Sequence, residues 1–250
     1  MLELSEVSDL RAMAHLRPVP DPTGEQRRAR LIAARLYLVC DCMPGERDLG
    51  EFLAAAIAGG VDVVQLREKH LEDEFLAEAA GVAADVCDAH GALFILNDRP
   101  EIAAAVRADG VHVGQDDMPV EEARKIVGSD MLLGLSTHAP SEIDDALPTA
   151  PDGTPYVDYI GVGPVHATPT KLGRPAVGTE LIGYASAHAH VPFFAIGGID
   201  SENIVTVLDA GASRVCVLRA ICDARDPEQA ALTLRAALEL RPLWNGDGRD

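Results

Sequence analysis

Eight short apolar runs, each separated from the next by an Ala-, Glu- and Leu-rich stretch of helical period, constrain this chain more than any other feature. The runs fall at 36–40 (LYLVC), 61–67 (VDVVQLR), 93–97 (LFILN), 110–114 (GVHVG), 131–136 (MLLGLS), 157–162 (VDYIGV), 192–197 (PFFAIG) and 213–218 (SRVCVL). They have strand length and are rich in β-branched residues. Most are continuously apolar rather than alternating, which is the pattern of parallel strands covered on both faces. The stretches between them include EFLAAAIAGG ahead of the second run and DEFLAEAAGVAADVCDAHG ahead of the third. Several close on Gly and open just after Ser, Asp or Pro, as helices do. Eight strand–helix units predict an α/β protein, a (β/α)8 barrel forming one domain over 36–241. A doubly wound sheet is the runner-up. It lacks its Gly-rich turn, because the first run ends in CDCMPGERD.

Residues 1–35 precede the first run. They divide into a Pro-containing arm (RPVPDPTG) and a predicted helix, EQRRARLIAARL, expected to cap the bottom of the barrel; 242–250 is expected to be a frayed tail. The opening MLELSEVSDLRAM has neither a basic n-region nor an apolar h-region, and no apolar stretch approaches the roughly 20 residues of a membrane span. The five cysteines are odd in number and scattered, and Cys40-Asp41-Cys42 has no second pair at zinc-like spacing. Free thiols in a reducing cytoplasm are the expectation.

Charge narrows the partners. With 21 basic and 40 acidic residues the net charge is −19, which opposes binding to nucleic acid or to an anionic membrane. Any anionic ligand must then be captured by a local basic cluster or through a metal ion. The sequence leaves self-association open and is compatible with a homo-oligomer.

A barrel of this kind builds its active site at the carboxyl ends of its strands. The second run continues into Gln65, Arg67 and Lys69, which a period of two places on one side, a natural clamp for phosphate oxygens. The third run ends in Asn97 and Asp98, and the fourth leads to Asp117. Carboxylates at neighbouring strand ends suit a magnesium ion facing a phosphate, though each also suits a helix cap. Ser136 closes the fifth run and fits either a phosphate contact or a cap, while His112 and His138 read as structural. No Asp–His–Ser spacing argues for a hydrolytic triad. The sixth run enters a glycine-containing loop that ends in Thr168, Thr170 and Lys171. The last two runs end in the Gly197–Gly198 turn and in Leu218–Arg219, where such barrels commonly hold phosphate on backbone amides.

With these motifs in hand, the chain resembles thiamine-phosphate synthases. QLREK (65–69), LNDRPEIA (96–103), ADGVHVGQDD (108–117), LGLSTH (133–138), DYIGVGPV (158–165), TPTK (168–171) and AIGGI (195–199) occur in family order, and the resemblance spans about 36–221. It implies a magnesium-dependent transferase that joins hydroxymethylpyrimidine diphosphate to a thiazole phosphate, giving thiamine phosphate and pyrophosphate. It further implies that Gln65, Arg67, Lys69, Asn97, Ser136 and Lys171 contact the pyrimidine diphosphate, with Arg67, Lys69, Ser136 and Lys171 serving catalysis. Asp98 and Asp117 would hold Mg2+. Thr168, Thr170, Gly197, Gly198, Leu218 and Arg219 would bind the thiazole phosphate. The chain departs from the family at His166, where relatives often carry an aromatic residue, and at Arg219, where they often carry Ser. Arg219 is expected to reach the phosphate through its side chain. Two competitors share the fold: a thiazole-tautomerase-like isomerase and a non-catalytic phosphate-binding barrel. Neither needs both the Arg67/Lys69 clamp and the Asp98/Asp117 pair.

Overall fold

The computed structural model describes residues 21–146, 156–167 and 176–243. Its strands are β1 (Leu36–Cys40), β2 (Val63–Leu66), β3 (Leu93–Asn97), β4 (Gly110–Val113), β5 (Leu132–Thr137), β6 (Tyr159–Val162), β7 (Phe193–Ile196) and β8 (Val215–Val217). They are parallel, pair in sequence order and close through β1 and β8 into a barrel. The helices are α1 (Gly24–Ala33), α2 (Leu49–Ala58), α3 (Asp73–His90), α4 (Pro100–Ala105), α5 (Val120–Val127), α6 (Pro140–Asp145), α7 (Glu180–His188), α8 (Ile204–Asp209), α9 (Arg219–Cys222) and α10 (Pro227–Glu239). The (β/α)8 architecture expected from the alternating periods is therefore the one that forms. The expected arm over 1–20 and the tail from 244 onward lie outside the described residues.

Residue parity along each strand explains why the runs are apolar throughout. Leu36, Leu38, Val64, Leu66, Phe94, Leu96, Ile160 and Val162 pack outward under the helices. Tyr37, Val39, Val63, Leu93, Ile95, Tyr159, Phe194 and Cys216 fill the interior. Both faces of every strand are buried, so no polar alternation is left to read. In the interior Phe194 meets Tyr37 and Tyr159 edge-on, with ring centroids 5.1 and 5.8 Å away. Gly134 on β5 makes this possible. A Cβ there would lie 2.2 Å from Cζ of Tyr159 and 2.5 Å from Nδ1 of His112.

The amino-terminal end of the barrel is sealed by charge and by α1. Thr23 caps this helix and shares a reciprocal capping box with Gln26. Asp62, Asp109 and Asp158 stand immediately before β2, β4 and β6. Each accepts the amide of a residue in the preceding strand: Leu36 at 3.0 Å, Phe94 at 3.0 Å and Leu133 at 2.8 Å. Arg235 neutralises Asp62, Arg27 of α1 neutralises Asp109, and Arg28 and Arg124 share Asp158. Buried Arg214 donates to the carbonyls of Ile32 and Ala34 at the end of α1. Among the described residues a cavity opens at the carboxyl ends of the strands. No disulfide joins any of the five cysteines, and among the described residues no helix is long and apolar enough to cross a membrane.

Candidate active site

A cavity of about 330 Å³ opens at the carboxyl ends of the strands. Its wall contains all of the expected site residues that fall within the described segments: Gln65, Arg67, Lys69, Asn97, Asp98, Asp117, Ser136, Gly197, Gly198, Leu218 and Arg219. Thr168, Thr170 and Lys171 lie outside those segments.

On one side, the inward parity of β2 carries Gln65 into the buried floor and continues through half-buried Arg67 to exposed Lys69. Asn97, the last residue of β3, is buried, and its Nδ2 has no hydrogen-bond partner among the described residues. A buried donor left in this state costs about 1–3 kcal/mol until a ligand acceptor takes it. Asp98 follows in the left-handed region at φ 63°, which Asp tolerates better than most side chains. Neither Asp98 nor Asp117 caps a helix. The residues at those caps are Arg99 and Pro119, with no side-chain cap bond. Asp117 accepts the amide of Gly114 at 2.8 Å instead, and Lys69 Nζ stands 3.6 Å from Asp98.

The two carboxyls hydrogen-bond each other. Burial pushes the Asp98 carboxyl up to about 6, and the bond to Asp117 and its negative charge add to the rise. Burial acts on Asp117 in the same sense, but the bond from Asp98, the Gly114 amide, Lys69 and Arg67 outweigh it and hold Asp117 below the usual range. Two confronted carboxyls at neighbouring strand ends are a ready ligand pair for a hard divalent cation. Among the described residues no group of three or more His, Cys, Asp or Glu side chains converges. The two carboxylates supply hard oxygen donors that fit Mg2+, an ion that keeps waters and takes further oxygens from substrate phosphates.

Sequence reasoning took His112 as structural, and the structure places it in the cavity wall with Nε2 at 3.0 Å from Ser136 Oγ. The signal was parity: Gly110, His112 and Gly114 share the inward face of β4, whereas Val111 and Val113 pack outward. Ser136 caps no helix, since α6 is preceded by Ala139. His138 bonds the carbonyl of Gly163 and, through its own amide, Glu142 at 2.6 Å. The opposite rim is backbone-rich. Gly197 and Gly198 take φ values of 109° and 63°, and Asn203 Nδ2 pins the turn through the Gly198 carbonyl at 2.8 Å. Arg219 opens α9 at the rim with its side chain exposed.

Known proteins resemble this chain in sequence and fold. The family model described as thiamine monophosphate synthase matches residues 36–221. The thiamine-phosphate synthase of Acidothermus cellulolyticus is 50% identical over 212 residues, covering 84% of this chain and 98% of that protein. That of Thermobifida fusca is 50% identical over 215 residues, covering 86% and 96%. The solved thiamine phosphate pyrophosphorylase of Pyrococcus furiosus superposes with a TM-score of 0.73 at 30% identity, covering 85% of this chain and 98% of that one. A 3-hexulose-6-phosphate synthase, 21% identical with a TM-score of 0.56, shares the fold alone. Model match, identity and coverage agree: the chain belongs to the thiamine monophosphate synthase family.

Proposed function

We propose that the chain condenses hydroxymethylpyrimidine diphosphate with thiazole phosphate, releasing pyrophosphate and forming thiamine phosphate. The carrying observation is the polarity of one cavity: Arg67, Lys69 and the Asp98/Asp117 pair on one rim, the Gly197–Gly198 turn and Leu218–Arg219 on the other. The first rim suits a diphosphate and the second a monophosphate, so two anionic substrates meet inside a protein of net charge −19.

In this reading the methylene C–O bond to the diphosphate breaks and a C–N bond to the thiazole nitrogen forms. Arg67 and Lys69 neutralise charge developing on the leaving oxygen, and Ser136 and the unpaired Asn97 amide donate hydrogen bonds to it. Lys171, which follows β6 in the sequence, joins them. Asp98 and Asp117 would hold Mg2+, which when bound would supply further neutralisation of the departing pyrophosphate. The thiazole nitrogen already carries a lone pair, so the site needs no general base. Thr168, Thr170 and the backbone of the Gly197–Gly198 turn and Leu218–Arg219 orient the thiazole phosphate. Five cysteines without a disulfide fit a reducing, cytoplasmic compartment. Mixing both substrates with the protein and Mg2+ tests the proposal: thiamine phosphate and pyrophosphate should appear in equal amounts, and their absence refutes it.

A further inference from the structure

A continuous chain of hydrogen bonds runs under the cavity. Gln65 Nε2 donates to the Tyr37 hydroxyl at 3.0 Å, and the hydroxyls of Tyr37 and Tyr159 are 2.9 Å apart. The Tyr159 hydroxyl lies 3.2 Å from His112 Nδ1, and His112 Nε2 lies 3.0 Å from Ser136 Oγ. The chain crosses the barrel from β2 to β5, and both of its ends line the cavity. Tyr37 and Tyr159 are 2% and 1% exposed, so their hydroxyl protons are satisfied within the protein interior. Burial pushes both phenols far above their usual range, which keeps them as O–H donors.

Proton counting gives the chain a direction. The Gln65 amide occupies an acceptor position on Tyr37, so the Tyr37 proton goes to Tyr159 and the Tyr159 proton to His112 Nδ1. The imidazole proton is then on Nε2 and is donated to Ser136 Oγ. The serine proton has to turn away from His112, toward the cavity. The reverse order brings two donors to Tyr37 and strands its own proton in a buried site, a configuration that proteins avoid.

We propose that Tyr37, Tyr159 and His112 are positioning residues that hold His112 as its Nε2–H tautomer and thereby fix the Ser136 hydroxyl as a hydrogen-bond donor aimed at the substrate diphosphate. The proposal rests on the reading that Ser136 contacts that diphosphate. Its value to the site is preorganisation: the donor is already aligned before charge develops on the leaving oxygen.

The first test is the 15N spectrum of histidine-labelled full-length protein. His112 should show a protonated Nε2 and a bare Nδ1, whereas the Nδ1–H tautomer, which a reversed Gln65 amide would impose, overturns the proposal. The second test measures binding of inorganic pyrophosphate with Mg2+ to the Ser136→Ala, Tyr159→Phe and double variants, with circular dichroism as the check on folding. Ser136→Ala should weaken binding by about ten- to a hundredfold, as loss of a hydrogen bond to a charged group does. Tyr159→Phe, which only releases the donor, should weaken it by about two- to tenfold, and should add nothing once Ser136 is Ala. Thiazole phosphate binding should be unchanged in both. If Ser136→Ala alone leaves pyrophosphate affinity intact, the diphosphate reading fails and takes the proposal with it. If Ser136→Ala weakens binding while Tyr159→Phe does not, or if their effects add, only the positioning chain is overturned.

Discussion

Replacing Asp109 by Ala separates the end of the barrel that stabilises the fold from the end that performs the chemistry. The carboxylate receives the Phe94 amide and Arg27 Nε, each at 3.0 Å, and the ion pair is 5% exposed on the Arg side and 9% on the Asp side. Ala leaves a buried N–H without an acceptor and a buried guanidinium without a counter-charge. Breaking one side of such a pair costs about 3–5 kcal/mol. Arg27 retains carbonyl partners at Pro22 and Asp130, which places the loss near the lower figure, about 3 kcal/mol. For a domain of this size that lowers Tm by about 6–12 °C. The effect is read by calorimetry, and kcat/KM is measured at a temperature where both proteins are folded. Activity should change less than about twofold, because Asp109 stands before β4 while His112 and Gly114, beyond it, line the cavity. Arg27→Met in the Asp109→Ala background should restore part of the loss by removing the orphaned charge. A Tm within about 2 °C of wild type refutes the ledger for this pair, and lost activity at unchanged Tm refutes the separation of the two ends.

Three further outcomes follow from the open end. Asp117→Ala should abolish turnover with secondary structure and Tm preserved, and full activity of that variant in chelator would sink the metal assignment. Arg67→Ala and Lys69→Ala should each slow single-turnover formation of product by about ten- to a hundredfold and leave the KM for thiazole phosphate unchanged; a raised thiazole KM with an unchanged single-turnover rate reverses the two pockets. Arg219→Ser should raise the thiazole phosphate KM by about fivefold or less, because the side chain is exposed and its charge is screened by water. A larger rise would place the guanidinium on the phosphate itself.

The barrel was legible because a parallel sheet buried on both faces writes each strand as an apolar run, and the Gly and Pro punctuation separates the helices. Strand ends were less so: the second run reads 61–67, yet β2 spans Val63–Leu66, since Asp62 turns its carboxylate to the amides of Arg35 and Leu36. Gln65, Arg67, Asn97, Asp98, Asp117 and Ser136 could be read because polar residues at the end of a buried strand have little structural reason to be there. The alternative of helix caps for the two aspartates and the serine could be removed only by the geometry of the caps themselves. His112 was hidden by its neighbours. A histidine inside GVHVG looks like core until the partner on β6 is known, and Tyr159, 47 residues away, supplies that partner only in three dimensions. The same holds for Gly134, which a sequence shows as a glycine in a strand and the fold shows as the space taken by two rings.

The most direct measurement is a crystal structure with Mg2+, thiamine phosphate and pyrophosphate bound. The account predicts pyrophosphate against Arg67, Lys69, Asn97 and Ser136, with the metal bridging it to Asp98 and Asp117, and the thiamine phosphate group on the amides of Gly198 and Arg219. Pyrophosphate on the Gly197–Gly198 turn, or a metal ion bound away from both aspartates, would contradict it.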